Sequence, residues 1–156
     1  MSWSDAYIGI PFADHGRAPT GCDCWGLACV LYQEELGITL PDYLGDYASA
    51  DEHREISALI TGAAASPLWV PVTGDAIAFD IAVFRRARYE THLGIVIRHG
   101  IMIHMAGEDQ SKVERYLQGP WKHRFAGHFR HAERATEHPA EHPVERPVQL
   151  ISGAAR

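Results

Sequence analysis

The chain has 156 residues, 46% of them hydrophobic and 22% charged, which is the size and balance of one globular domain able to bury a core without staples. Its net charge of -6 argues against the basic face a nucleic-acid binder needs, so no nucleic-acid partner is expected. No apolar run approaches the roughly 20 residues of a membrane span, and Met1-Ser2-Trp3-Ser4-Asp5 lacks the basic start and apolar core of a secretory signal.

The first segment, residues 1–22, reads as loop-rich, with Gly9, Pro11, Gly16, Pro19 and Gly21. Asp23 then has the character of an N-cap. The helix it opens is expected from Cys24 to Leu36, stopping at Gly37. Trp25, Leu27, Ala28, Val30, Leu31, Tyr32 and Leu36 make it apolar nearly all round, as befits a helix covered on several sides. A second, more polar helix is expected to start at the capping box Ser49-Ala50-Asp51-Glu52, run to Ile60 and end at Gly62.

After Pro67 the period changes to that of strands. Expected strands are Leu68–Val70, Asp75–Phe79, His92–Ile97 and Ile101–Met105, with weaker ones at Lys112–Tyr116 and Arg124–Phe129. A leading helix followed by antiparallel strands is an α+β layout. From Glu133 the composition shifts to a crude repeat, Glu137-His138-Pro139-Ala140-Glu141-His142-Pro143, with little apolar to bury. The expected division is therefore a domain over 1–132 and a disordered or extended tail over 133–156, its histidines read as solvated.

The hairpin Arg98-His99-Gly100 joins two strands whose alternation is informative. If Leu93, Ile95 and Ile97 share a face with Ile101, Ile103 and Met105, then Ile97 lies opposite Ile101 across a three-residue turn. The other face carries His92, Gly94 and Val96 beside Met102, His104 and Ala106. His92 is then the diagonal neighbour of His104, about 7–8 Å away at the backbone and within side-chain reach. Gly94 and Ala106 are small enough to admit a helix on that face, and the helix of Cys24 is the candidate.

The three cysteines, Cys22, Cys24 and Cys29, are odd in number and clustered, which fits a reducing compartment better than a disulfide framework. Cys24 at a helix N-terminus lies at the positive end of the macrodipole, which favours the reactive thiolate. An imidazole in reach supplies a base, a second group on its other nitrogen fixes the tautomer, and the Cys24 N–H could donate to an oxyanion. The plainer readings stand beside this one. Cys29 reads as a small buried hydrophobe and Cys22 as structural or as a resolving thiol. Strand histidines are more often hydrogen-bonded core residues than catalysts, and His15, His53, His99, His123, His128 and His131 read as surface residues. A Cys2His2 zinc site of Cys22, Cys24, His92 and His104 stays open, though Cys-x-Cys chelates poorly.

The run Gly21-Cys22-Asp23-Cys24-Trp25-Gly26-Leu27 resembles the Asp-Cys-(Ser/Trp)-Gly-(Leu/Phe) signature of the NlpC-type cell-wall cysteine peptidases. Gly74-Asp75-Ala76-Ile77-Ala78-Phe79, Thr91-His92-Leu93-Gly94-Ile95-Val96 and Gly100-Ile101-Met102-Ile103-His104-Met105 resemble its next three blocks, in order, across residues 3–130. The resemblance implies a papain-like α+β core with Cys24 as nucleophile, His92 as base and His104 orienting the base. It also places Tyr7, in Tyr7-Ile8-Gly9-Ile10-Pro11-Phe12, and Asp23 among the oxyanion or substrate-binding groups. Met105 stands where the family usually has Ala.

The family implies hydrolysis of amide bonds in peptidoglycan stem peptides, commonly γ-D-glutamyl–diaminopimelyl, with no metal or organic cofactor. Gly16-Arg17 and Trp25 look most like the branch found in phage tails and gene transfer agents. The resulting expectation is a protein made in the bacterial cytoplasm without a signal peptide and carried by a phage-like tail, with tail or baseplate proteins as partners, to act on the periplasmic wall. Two alternatives stay open: a non-hydrolytic structural or assembly component of a tail hub, and another thiol reaction on the same scaffold, such as amidase or acyl-transfer chemistry.

Overall fold

The structure, a computed structural model, describes residues 2–44, 68–86, 89–107 and 109–137. The helix expected from Ser49 to Ile60 lies outside the described residues, as does the expected tail from residue 138 onward.

Asp23 caps α1 (Cys24–Leu31) as expected: its side chain accepts from the Gly26 N–H. The helical path then widens into a π turn, Tyr32–Leu36, and closes at Gly37 in the left-handed conformation, φ 66°. Trp25, Leu27, Ala28, Val30 and Leu31 are all buried, so the all-round apolar pattern matches burial on several sides. Ahead of the helix, β1 (Arg17–Ala18) and β2 (Gly21–Cys22) form a short antiparallel pair. Gly26 faces this hairpin region: a Cβ there would run into the Gly16 carbonyl oxygen, so the close approach of helix and loop requires glycine.

The other strands are β3 (Trp69–Pro71), β4 (Ile81–Arg86), β5 (Tyr89–Arg98), β6 (Ile101–Met105), β7 (Ser111–Arg115) and β8 (Phe125–His131). They make one six-stranded sheet in the order β3-β8-β4-β5-β6-β7, and all of its strand pairs are antiparallel. The described part is thus an α+β fold, with α1 packed against β5 and β6.

Two expectations fail locally. The apolar run Asp75–Phe79 is not a strand, and the strand lies just beyond it, at β4. Asp80 is the reason: its Oδ2 accepts the Ile77 N–H at 2.9 Å, and Arg130 holds both carboxylate oxygens, Nε to Oδ1 at 2.8 Å and Nη2 to Oδ2 at 2.7 Å. That buried anchor folds the run into a turn, with Phe79 at φ 71°. Phe79 is held there by Trp3, stacked at 4.2 Å, and by the Tyr32 hydroxyl donating to its carbonyl. The β5–β6 hairpin also differs at its tip. Ile95 pairs with Ile103 and Val96 with Met102, which is the expected register, but a bulge makes Arg98 the partner of Ile101. The turn is therefore His99-Gly100, with Gly100 at φ 88°.

The sheet separates two apolar clusters. Leu93, Ile95, Ile103, Met105, Ile81 and Val83 join the α1 side chains on one side. Ala82, Phe84, Val96, Met102 and Tyr116 cluster on the other, under Trp121 and Phe125. The body of α1 thus packs on the Leu93, Ile95 and Ile103 side, with Cys24 at its N-terminal end, and the space beside Gly94 is filled by the Met102 side chain. At the C-terminal end, Ala132–Arg134 form a 3-10 turn, and the buried Arg134 donates to the Ala78 carbonyl at 2.8 Å. Packing therefore continues through Glu137, whose carbonyl accepts from Arg130 at 2.7 Å, past the expected boundary at residue 132.

His128, read from sequence as a surface residue, is buried and bonded at Nε2 to the Tyr116 hydroxyl, 2.7 Å away. Burial, with nearby His99 second, pushes it down to about 4. Its unfolded value is about 6.5. Between those values the unfolded chain takes up a proton that the folded chain refuses, so stability falls as pH falls through this window and levels off below it. The shift corresponds to roughly 3 kcal/mol from this group, and burial lowers His104 and His131 as well. Urea midpoints should drop between pH 7 and pH 4.5, and His128→Gln should flatten the slope; an equally steep slope in that variant would refute the assignment.

Candidate active site

Cys24 is the first residue of α1 and is half-buried, and none of the three cysteines is in a disulfide. Its position is fixed by Asp23, whose carboxylate is almost wholly buried. Oδ1 accepts from the Gly26 N–H at 2.8 Å and from Arg17 Nη1 at 2.8 Å, and Oδ2 accepts from the His15 N–H at 3.2 Å. Those contacts make Asp23 a cap and anchor. Cys22 and Cys29 are pushed up to about 12, in both cases chiefly by burial, and stay thiols at neutral pH. A resolving role for Cys22 has no support in this setting.

Tyr7 closes the 3-10 turn Trp3–Tyr7 and is buried. Its hydroxyl donates to Glu35 Oε1 at 2.8 Å and to Glu34 Oε1 at 3.2 Å. Both carboxylates belong to the π turn Tyr32–Leu36 that follows α1. Burial, then the two carboxylates, raise the Tyr7 hydroxyl well above its ordinary value.

The two imidazoles do meet. His92 Nε2 lies 2.9 Å from His104 Nδ1, with the rings edge to face at 5.1 Å. His104 is fully buried, and burial holds it below the ordinary histidine value against the opposing pull of Glu114. Its Nε2 is 2.5 Å from Glu114 Oε2. Trp121 lies flat on His92 at 5.0 Å and donates its Nε1–H to the same Glu114 oxygen at 3.1 Å. The row His92, His104, Glu114 thus crosses β5, β6 and β7 on one face.

Glu114 and Trp121 were missed at the level of sequence. The alternation that puts His104 beside His92 continues to β7, where Met102 pairs with Glu114 and His104 with Lys112. Extending the pattern by one strand would have found Glu114. Trp121 sits in the 3-10 turn Gly119–His123, and nothing local in the sequence points it at the histidines. Among the described residues, no group of three or more His, Cys, Asp or Glu side chains is placed to hold a metal ion.

Asp23→Ala removes an N-cap and leaves the Arg17 guanidinium beside an apolar methyl. A lost cap costs about 1 kcal/mol and breaking a buried pair about 3 more, so a loss of roughly 4 kcal/mol is expected. Urea unfolding at pH 7 measures it, and a change below about 0.5 kcal/mol, the level of a plain surface substitution, would contradict the anchoring role.

The NlpC/P60 family profile matches residues 9–130. No curated protein matches the chain. Among solved structures the chain is similar to the NlpC/p60 domain of peptidoglycan hydrolase SagA, with 21% identity and TM-score 0.48, covering 72% of this chain and 82% of that one. It is similar to an NlpC/P60 family protein from Bacillus cereus ATCC 10987, with 21% identity and TM-score 0.58, covering 81% of this chain and 37% of that one. It is also similar to a protein described as similar to lipoprotein, NLP/P60 family, from Staphylococcus aureus subsp. aureus Mu50, with 25% identity and TM-score 0.50, covering 80% of this chain and 37% of that one. The chain thus spans little more than a third of the latter two. The profile covers most of the chain, and the chain belongs to the NlpC/P60 family.

Proposed function

We propose that the chain is a cysteine peptidase that hydrolyses amide bonds in peptidoglycan stem peptides, with Cys24 as nucleophile and His92 as base. The observation that carries this reading is the His92–His104 contact at 2.9 Å, on strands packed against the helix that Cys24 opens, in a chain of this family. With Nε2 of His92 engaged by His104, Nδ1 is the nitrogen that can take the thiol proton. The thiolate then adds to the substrate carbonyl, and when the C–N bond breaks the acyl half stays on the Cys24 sulfur as a thioester while the amine half departs. The departing amine receives the proton from His92. Water, deprotonated by His92, hydrolyses the thioester and restores the thiol.

The finer reading rests on the sequence resemblance. The bond is of γ-D-glutamyl–diaminopimelyl type, and the protein is made in the bacterial cytoplasm and acts on the wall from a phage-like tail. Gly16-Arg17 and Trp25 support that carriage. In the fold these residues brace the helix start: Arg17 holds Asp23, and Trp25 donates Nε1–H to the Pro41 carbonyl at 2.7 Å.

Purified cell wall digested with the protein, followed by mass spectrometry of the muropeptides, tests activity and bond together. Cys24→Ala should lower product release by at least about 10³-fold, the scale of nucleophile loss, with the fold intact by circular dichroism. Undiminished cleavage by that variant would defeat the reading. A wild-type protein that leaves wall intact and co-purifies with tail proteins would instead assign a structural role at the tail hub.

A further inference from the structure

A neutral imidazole carries one N–H, and which nitrogen holds it decides whether His92 is a base toward a thiol. The choice follows from the far end of the row. Glu114 Oε2 is an acceptor facing His104 Nε2 at 2.5 Å, so the His104 proton belongs on Nε2. The His104 Nδ1 is then a lone pair, and the His92 nitrogen facing it at 2.9 Å must be the donor. With its proton on Nε2, His92 keeps an unprotonated Nδ1.

We propose that Glu114 is a positioning residue that acts through His104, setting the tautomers of both histidines and thereby making His92 Nδ1 basic. This deepens the reading of His92 as the base and, for its effect on Cys24, rests on it. When the thiol proton moves to Nδ1, the imidazolium keeps donating Nε2–H to His104 Nδ1, and His104 keeps donating Nε2–H to the carboxylate. No proton leaves His104 for Glu114; the carboxylate acts by its charge and as an acceptor.

The surroundings support this assignment. Glu114 Oε2 also accepts the Trp121 Nε1–H at 3.1 Å, so two donors converge on one oxygen and fix the carboxylate. Trp121 also covers the His92 ring and meets the His104 ring edge-on at 5.1 Å, which limits rotation of either imidazole. Lys112, paired with His104 in the β6–β7 register, is the cation beside the row and disfavours a charged His104. Were His104 protonated on both nitrogens, it would no longer accept from His92. Its complete burial works in the same direction.

The test combines a spectroscopic readout with a kinetic one. Long-range ¹⁵N–¹H correlation spectra of the histidine-labelled protein at pH 7.5 distinguish Nδ1–H from Nε2–H rings. His104 and His92 should both appear as Nε2–H. In Glu114→Leu the acceptor is gone and His104 should become a mixture of tautomers. In Glu114→Gln the amide oxygen still accepts, so Nε2–H should persist without the charge. The rate of Cys24 alkylation by iodoacetamide against pH is the second readout, since Cys22 and Cys29 are held as thiols by burial.

Loss of the carboxylate destabilises the His92 imidazolium, so the limb on which alkylation rises should move to higher pH. At pH 7 the rate should fall roughly 10- to 100-fold in Glu114→Leu, with partial recovery in Glu114→Gln, the range typical of orienting partners. A wild-type His104 carrying its proton on Nδ1, or alkylation limbs unmoved in both variants, would overturn the proposal. If Glu114→Leu fails to fold, the wild-type spectrum and Glu114→Gln still decide. Failure of the peptidase reading shows separately, as cleavage undiminished by Cys24→Ala, and leaves the tautomer result standing.

Discussion

The register between β5, β6 and β7 governs this molecule, because one pairing scheme does two jobs at once. It lines up Leu93, Ile95, Ile103 and Met105 in the core shared with the body of the helix, and it brings His92, His104 and Glu114 into one polar row. A slip of one residue would exchange the faces. Imidazoles and a carboxylate would then lie against an apolar helix without partners, each at a cost of several kcal/mol. The apolar rows therefore enforce the polar row, and the site needs no separate device to hold its strands in phase. The bulge between Val96 and Arg98 lies beyond the row and re-aims only the turn.

Two buried carboxylates fix what the register leaves free. Asp23 holds the helix start through Arg17 and the first-turn N–H of Gly26, while Asp80 holds the approach to β4 through Arg130. Neither pair is strong evidence of net stability, since removing both charges from water is expensive. What each gives is a unique geometry: a half-satisfied buried carboxylate is far worse than a satisfied one, so alternative loop arrangements are penalised. Gly26, against the Gly16 carbonyl, removes the remaining slack between hairpin and helix.

The electrostatics of the row follow from an uneven burial. His104 is enclosed completely, whereas the Glu114 side chain stays 41% exposed. The carboxylate is open to water while burial holds the imidazole beside it below the ordinary histidine value. A buried neutral ring with a fixed tautomer between a solvated charge and a second ring transmits orientation without storing a buried charge.

The sequence alone was enough for everything governed by local period and local capping. The Asp23 cap, the helix to Gly37, the two strands around Gly100 and the proximity of His92 and His104 all follow from side-chain alternation and from groups a few residues apart. The run Asp75–Phe79 defeated that reading, because its turn is imposed by Arg130, fifty residues beyond Asp80. The body of the helix was assigned to the Gly94 side for a similar reason: smallness at Gly94 is equally consistent with a neighbouring Met102. The bonds of the Tyr7 hydroxyl to Glu34 and Glu35 join segments 27 and 28 residues apart, which no local pattern displays. Glu114 and Trp121 became part of the site only when β7 and the turn after it closed over the histidines. Period and capping are short-range constraints that a sequence displays directly, whereas partners for buried charges and rings are chosen among distant segments by packing, and only the tertiary structure makes that choice.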